Sequence, residues 1–227
     1  MATVANLSKY FTLICLLGIA IVMTSLFSLT NYHCRCNEVH SEAQIRSNLP
    51  YIKGFTRDAG KKTNFTSFNP SIIWRRYNYN ISAFNETLSS FTGHLMFAII
   101  TNFSHNFLDY AKHSTTLNTM VLDQKYLLSL RQFWNLEKNV STGMLLFTLG
   151  LSVCEEIHLF GYWPFYTDEK GNDLPYHYTE DLEWSKKTRN SHTMVSEFQN
   201  LRELHQDGVV RLHIGRCTPS CATNNIT

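Results

Sequence analysis

Ser141-Thr142-Gly143-Met144-Leu145-Leu146-Phe147-Thr148-Leu149-Gly150-Leu151-Ser152-Val153-Cys154, followed by Ile157-His158-Leu159-Phe160-Gly161, is the stretch that decides the fold. Small polar residues open an apolar run over Met144 to about Cys154, which predicts a helix with a loop feeding its start. The run from Ile157 to Gly161 predicts a strand, closed by the aromatic turn Tyr162-Trp163-Pro164-Phe165. Upstream, Thr119–Leu122 predicts a strand, and Tyr126, Leu127, Leu130, Phe133 and Trp134 recur at helical spacing. Downstream, Val195–Leu204 predicts a helix and Val209–Ile214 a strand. Strands alternating with helices argue for an α/β domain with a largely parallel sheet. In such sheets ligands sit at the carboxyl ends of strands, where loops enter helices. The middle, 75–119, is rich in Asn, Phe, Ser and Thr, and its poor periodicity gives only weak elements.

The 227 residues carry 20 Lys plus Arg against 18 Asp plus Glu, so no basic excess points to nucleic acid. Charged residues are 17% and aromatics 13%, a globular profile that excludes a disordered chain. From Tyr10 to Tyr32 there is no Asp, Glu, Lys, Arg or His. About 20 apolar residues cover the hydrocarbon core of a bilayer, so 10–32 is expected to be a transmembrane signal anchor behind a short cytoplasmic tail at 1–9. N-x-[S/T] sequons at Asn64, Asn80, Asn85, Asn102, Asn139 and Asn225 follow that span and suggest a domain facing the secretory lumen. Cys34, Cys36, Cys154, Cys217 and Cys221 fit that compartment. Cys34-Arg35-Cys36 has no second paired-thiol motif to complete a zinc site, so disulfides are preferred to a metal. No linker or repeat divides the rest: one domain is expected over 34–217, with a polar tail at 218–227.

Three groups of residues carry chemistry. Ser141, Thr142 and Gly143 stand where a loop turns into a helix, and open N–H groups, a small hydroxyl and a Gly make a cradle for a phosphate or nucleotide. An ordinary N-cap explains the same residues. Pro175-Tyr176-His177-Tyr178-Thr179-Glu180 is a polar aromatic patch with one histidine, and His192 begins an H-x-x-x-x-E pattern ending at Glu197. That pattern is not the H-E-x-x-H of a metalloprotease. Histidine is the usual general acid or base near neutral pH.

In their order, Val140–Phe147, Cys154–Phe165, His177–Glu180 and His192–Glu197 resemble the small, third and very-small sialylmotifs of animal sialyltransferases. Ile45-Arg46-Ser47-Asn48-Leu49-Pro50 and Lys62–Ile73 look like the second half of the large sialylmotif. With the ending Leu204-His205-x-x-Gly208-Val209-Val210-Arg211-Leu212 and Cys217, the pattern is most similar to the alpha-2,8 branch. The resemblance spans roughly 34 to 217. It implies a variant Rossmann-like (GT-A-type) domain in the Golgi lumen, single-pass type II in the membrane. It implies transfer of sialic acid from CMP-sialic acid to a sialylated glycoprotein or glycolipid acceptor, inverting, with neither metal nor cofactor and with no role for nucleic acid. On it, Asn48, Ser141, Thr142 and Gly143 would hold the nucleotide, and Trp163 and Phe165 would wall the donor pocket. His177 would bond the CMP phosphate, His192 would be the general base, and Glu197 would support the site. Cys34 with Cys217 would match a family disulfide.

The sequence also departs from the family pattern. The first half of the large motif, a strand and a Gly-Asn-Gly-Gly loop, would precede Cys34, where the apolar span stands. That strand carried the family partner of Cys154. Ser47 replaces a family Cys and Thr179 a family aromatic. Two readings follow: an enzyme, or a catalytically inactive, truncated Golgi membrane protein that binds glycan or a homologous enzyme.

Overall fold

Four short parallel strands form the main sheet, and their order in space is their order in the chain. In the computed structural model, which describes residues 43–179 and 192–214, these are β1 (Ile45–Arg46), β2 (Phe65–Phe68), β3 (His94–Phe97) and β4 (Asn118–Val121). One rank runs Ile45, Phe65, His94, Asn118 across the sheet. Each connection steps to the adjacent strand in the same direction, and crossovers of one hand then place their helices on one face. The helices in question are α1 (Thr56–Ala59), α2 (Ser71–Arg75), α3 (Ile81–Leu88) and α4 (His105–Ser114). Ile72, Ile73, Phe84, Leu88, Phe107, Leu108 and Ala111 of α2, α3 and α4 share one core with Phe68, Leu95 and Phe97 of the sheet.

Alternation along β3 divides the molecule. Leu95 and Phe97 face that first core, while Met96, with Ala98 beyond it, joins a second. The second core belongs to α5 (Gln124–Phe133), α6 (Thr142–Leu151), α7 (Met194–Gln206) and a separate parallel pair, β5 (His158–Phe160) and β6 (Arg211–His213). The expected alternation of strands and helices is present, but the strands fall into two sheets. In the smaller one Leu159 and Leu212 face inward, whereas His158, Phe160, Arg211 and His213 are exposed.

Helix α6 is buried on nearly every side, which its uninterrupted apolar run requires. Its buried Thr148 is satisfied: Oγ1 donates to the Met144 carbonyl at 2.7 Å and accepts from Trp134 Nε1 at 2.9 Å. Burying each of Met144, Leu145 and Phe147 stabilises the fold by about 1.5–3 kcal/mol. An Asp at 145 would break this helix's seat.

The weakly patterned middle is ordinary structure. Strand β3 is buried at all four positions, so it shows no alternation to read. Asn80 caps α3, its Oδ1 accepting from Ser82 N at 2.8 Å and Ala83 N at 3.2 Å. Gly93 enters β3 at φ +85°, and a Cβ there would lie 2.2 Å from the Asn64 carbonyl oxygen. No other residue fits this crossing of β2 and β3. Among the described residues no helix is long and apolar enough to cross a membrane. The expected anchor at 10–32, Cys34 and Cys217 lie outside the described residues.

Candidate active site

Two turns meet where β1 ends and α6 begins. The first follows β1: Asn48 and Leu49 both stand in the left-handed region, at φ 59° and 45°. Asn tolerates that conformation and Leu does not, so the turn persists only because its surroundings fix it. Ser67 Oγ accepts from Asn48 N at 2.9 Å, and Thr66 Oγ1 accepts from Leu49 N at 3.3 Å. Arg76, just past α2, donates from Nη1 to the carbonyls of Asn48 at 2.9 Å and Leu49 at 2.5 Å. Its guanidinium also lies 4.8 Å over the Tyr51 ring. Sequence reading found Asn48 but not Arg76, whose placement depends on α2 returning toward β1.

The second turn is Ser141-Thr142-Gly143. Ser141 is the N-cap of α6, and its Oγ accepts from Met144 N at 3.1 Å. Its own N–H donates at 2.6 Å to Glu197 Oε1 in the first turn of α7. Glu197 is 5% exposed, so a buried carboxylate already sits at the positive end of α6. The N–H groups of Thr142 and Gly143 have no acceptor inside the helix. What crowds Gly143 is a side chain: a Cβ there would meet Tyr162 Cε1 at 3.1 Å, and Tyr162 OH donates to the Gly143 carbonyl at 2.9 Å. Burial, then the Glu197 carboxylate, pushes the Tyr162 phenol well above its usual range, so it remains a donor.

The turns touch: Asn48 Nδ2 reaches Thr142 Oγ1 at 3.4 Å, across 94 residues of chain. The 162–165 turn closes one flank through Tyr162, while Trp163, Phe165 and Phe198 of α7 form an edge-to-face aromatic cluster with centroids 4.9–5.6 Å apart. Trp163 Nε1 is held by the Thr167 carbonyl at 2.8 Å.

Of the two histidines, His192 lies beside the second turn. Its Nδ1 lies 2.9 Å from the carbonyl of Asn139, two residues before Ser141. A carbonyl only accepts, so Nδ1 carries a proton, and in the neutral imidazole the lone pair is then on Nε2. His177 is exposed, its ring 4.5 Å from that of Tyr176. The neighbouring residue ties this stretch to the first turn: Tyr178 OH donates to the Tyr51 carbonyl at 3.0 Å, and its ring meets Phe55 at 4.9 Å. Burial raises the Tyr176 phenol, opposed by the Arg75 charge. Among the described residues no cluster of three metal-ligating side chains occurs.

The sequence profile of glycosyltransferase family 29 (sialyltransferase) matches residues 40–209. Human alpha-2,8-sialyltransferase 8E is 29% identical over 215 residues, covering 84% of this chain and 54% of that protein. The chain thus spans about half the length of this relative. A crystal structure of a mammalian sialyltransferase superposes with a TM-score of 0.50 at 19% identity, over 77% of this chain and 61% of the other.

Proposed function

The chain belongs to glycosyltransferase family 29, the sialyltransferases, and from that premise we propose that it transfers sialic acid from CMP-sialic acid to a sialylated glycan hydroxyl, in the alpha-2,8 manner. The observation that carries the proposal is the meeting of the Asn48 turn with the Ser141 turn, with His192 anchored on the Asn139 carbonyl beside them.

The residues divide the work by charge. Glu197 offsets the positive end of α6, so the neutral base and ribose of the donor belong at Ser141, Thr142 and Gly143, with Asn48 facing them. The phosphate belongs toward His177, where a donated hydrogen bond stabilises the negative charge that collects on the leaving group. Trp163 and Phe165 wall the donor side, on a variant Rossmann-like frame. The acceptor hydroxyl oxygen attacks the anomeric carbon as the bond from that carbon to the CMP phosphate oxygen breaks. The hydroxyl proton passes to His192 Nε2, and the CMP phosphate departs with the bonding pair, which inverts the centre. No step calls for a metal. The uncharged span at 10–32 and the sequons beyond it support a Golgi type II membrane protein with a lumenal domain.

Transfer of labelled sialic acid from CMP-sialic acid by the purified chain tests this reading. His192→Ala should lower the rate about 10²–10⁴-fold with an unchanged melting temperature; undiminished transfer would exclude His192 as the base. The apolar span standing where the first half of the large motif would be supports one second reading, a non-catalytic glycan-binding or homologue-binding protein. Calorimetry with CMP separates the two, since a folded chain that binds no CMP has no donor site.

A further inference from the structure

Phe103 is 70% exposed and Tyr79 is 54% exposed, and their rings meet edge to face with centroids 6.1 Å apart. They come from different loops, Tyr79 between α2 and α3 and Phe103 between β3 and α4. An exposed Phe forgoes the stabilisation that burial would provide. Paired apolar rings left open in this way mark a surface that something covers. The sequence beside each ring says what. Tyr79 immediately precedes Asn80 of the sequon Asn80-Ile81-Ser82, and Phe103 is the central residue of Asn102-Phe103-Ser104. Both asparagines are exposed.

We propose that Asn80 and Asn102 carry N-glycans and that Tyr79 and Phe103 form the platform on which their first sugars pack. The proposal rests on the lumenal reading given above. In the modification, Asn Nδ2 forms a bond to the anomeric carbon of an N-acetylglucosamine carried on a lipid diphosphate. The bond from that carbon to the diphosphate oxygen breaks, the lipid diphosphate leaves, and Nδ2 releases one proton. The fold accommodates both products. Asn80 caps α3 through Oδ1, which accepts from Ser82 N and Ala83 N, so Nδ2 is available for the sugar and the cap survives. Ser104 is wholly buried, its Oγ accepting from Thr101 N at 2.7 Å and donating to the Thr101 carbonyl at 3.0 Å. That hydroxyl is closed to a modifying enzyme once the chain has folded, so Asn102 is modified on the nascent chain. Pyranose rings present a face of C–H groups, complementary to the electron-rich face of an aromatic ring.

The sequon at Asn85 supplies the control, being exposed on α3 while its neighbour Phe84 is fully buried. Site occupancy is read by peptide mass spectrometry on the full chain made in a secretory host. Occupied Asn80 and Asn102 are expected. Asn102→Gln should then lower the melting temperature by about 2–4 °C, and by much less on a Phe103→Ala background. Phe103→Leu, apolar but without a ring face, should behave like Phe103→Ala and serves if the latter does not fold. Occupied Asn85 with bare Asn80 and Asn102 overturns the platform and leaves the lumenal reading standing. Bare sequons throughout overturn both. An equal cost of Asn102→Gln with and without Phe103 overturns the platform. So does a raised acceptor KM in Phe103→Ala with no glycan-dependent change in melting, because the rings would then serve the acceptor.

Discussion

The two turns that meet at the site are held in different ways. The Ser141 turn begins with its own cap: Ser141 caps the helix that it begins, and more distant support comes from the Glu197 carboxylate on its N–H and the Tyr162 hydroxyl on the Gly143 carbonyl. The Asn48 turn has two consecutive left-handed residues and is fixed entirely from outside, by Ser67, Thr66 and Arg76. A locally capped turn and a strained, externally supported one therefore face each other across the Asn48–Thr142 hydrogen bond. The first should survive most perturbations. The second should fail first, and through residues that need not touch a substrate.

Arg76→Ala gives the largest effect on that view. Two hydrogen bonds from a charged donor are lost, and the carbonyls of Asn48 and Leu49 lose their partners. The loss should be about 3 kcal/mol in chemical denaturation. CMP affinity should fall at temperatures where the variant is still folded. Arg76→Lys should recover part of the stability and little of the affinity, because one ammonium cannot bridge both carbonyls while lying over Tyr51. Full CMP affinity in Arg76→Ala would show that the Asn48 turn needs no outside support.

The same contrast explains what could be read in the sequence. Ser141-Thr142-Gly143 ahead of an apolar run is a local pattern, and its cap, its helix and the strand at 158–160 all followed from it. Thr119–Leu122 and Val209–Ile214 were legible for the same reason, each offset by only a residue or two. Arg76 had no signal of its own, since only the tertiary path of α2 carries it back to Asn48. Strand β3 was hidden by burial on both faces, and the split into two sheets depends on pairing that no local pattern encodes. Gly143 was legible as a constrained position, but the neighbour constraining it, Tyr162, was not. Asn48 emerged through family resemblance alone, Ser141, Thr142, Gly143 and His192 from their residue types and spacing as well, and the structure brings them near one another. His177 lies in the stretch that Tyr178 ties to Tyr51.

Ser141→Ala removes the cap from the locally capped turn and should cost about 1 kcal/mol. The Glu197 bond to the Ser141 N–H is retained, so the turn should keep its shape, and CMP affinity should drop far less than in Arg76→Ala. A larger loss of affinity in Ser141→Ala would reverse the ranking of the two turns.

Acid should weaken the Asn48 side selectively. His94, 5% exposed in β3 and stacked against Phe65 of β2 at 6.2 Å, has its pKa lowered by burial. The unfolded chain takes up a proton near pH 6.5 that the folded chain resists. Stability is therefore full above that value and falls as pH drops from about 6.5 toward the folded pKa. The fall should be smaller than the effect of Ser141→Ala. It should flatten in His94→Leu, and hydrogen exchange at pH 5.5 should show β2 and the Asn48 turn opening before α6. Simultaneous opening of both would mean the two regions share one stability.

The smallest effect tests whether the turns form one site. Asn48 Nδ2 and Thr142 Oγ1 are 3.4 Å apart, a long bond between neutral groups, and its net worth should be about 0.5 kcal/mol. Asn48→Gly is the suitable partner in a double-mutant cycle, because glycine keeps the left-handed φ of 59° where alanine would add strain. Thr142→Ala removes the hydroxyl, and Thr142→Ser retains it as a control. Measured by denaturation, the coupling should be at the limit of detection. Measured by CMP affinity it should be larger, since a nucleotide gripped from both sides loses cooperative contacts when either side is removed. Strict additivity in both measurements would separate the turns, leaving the Ser141 turn as a helix cap and the Asn48 turn as a strained loop with no shared ligand.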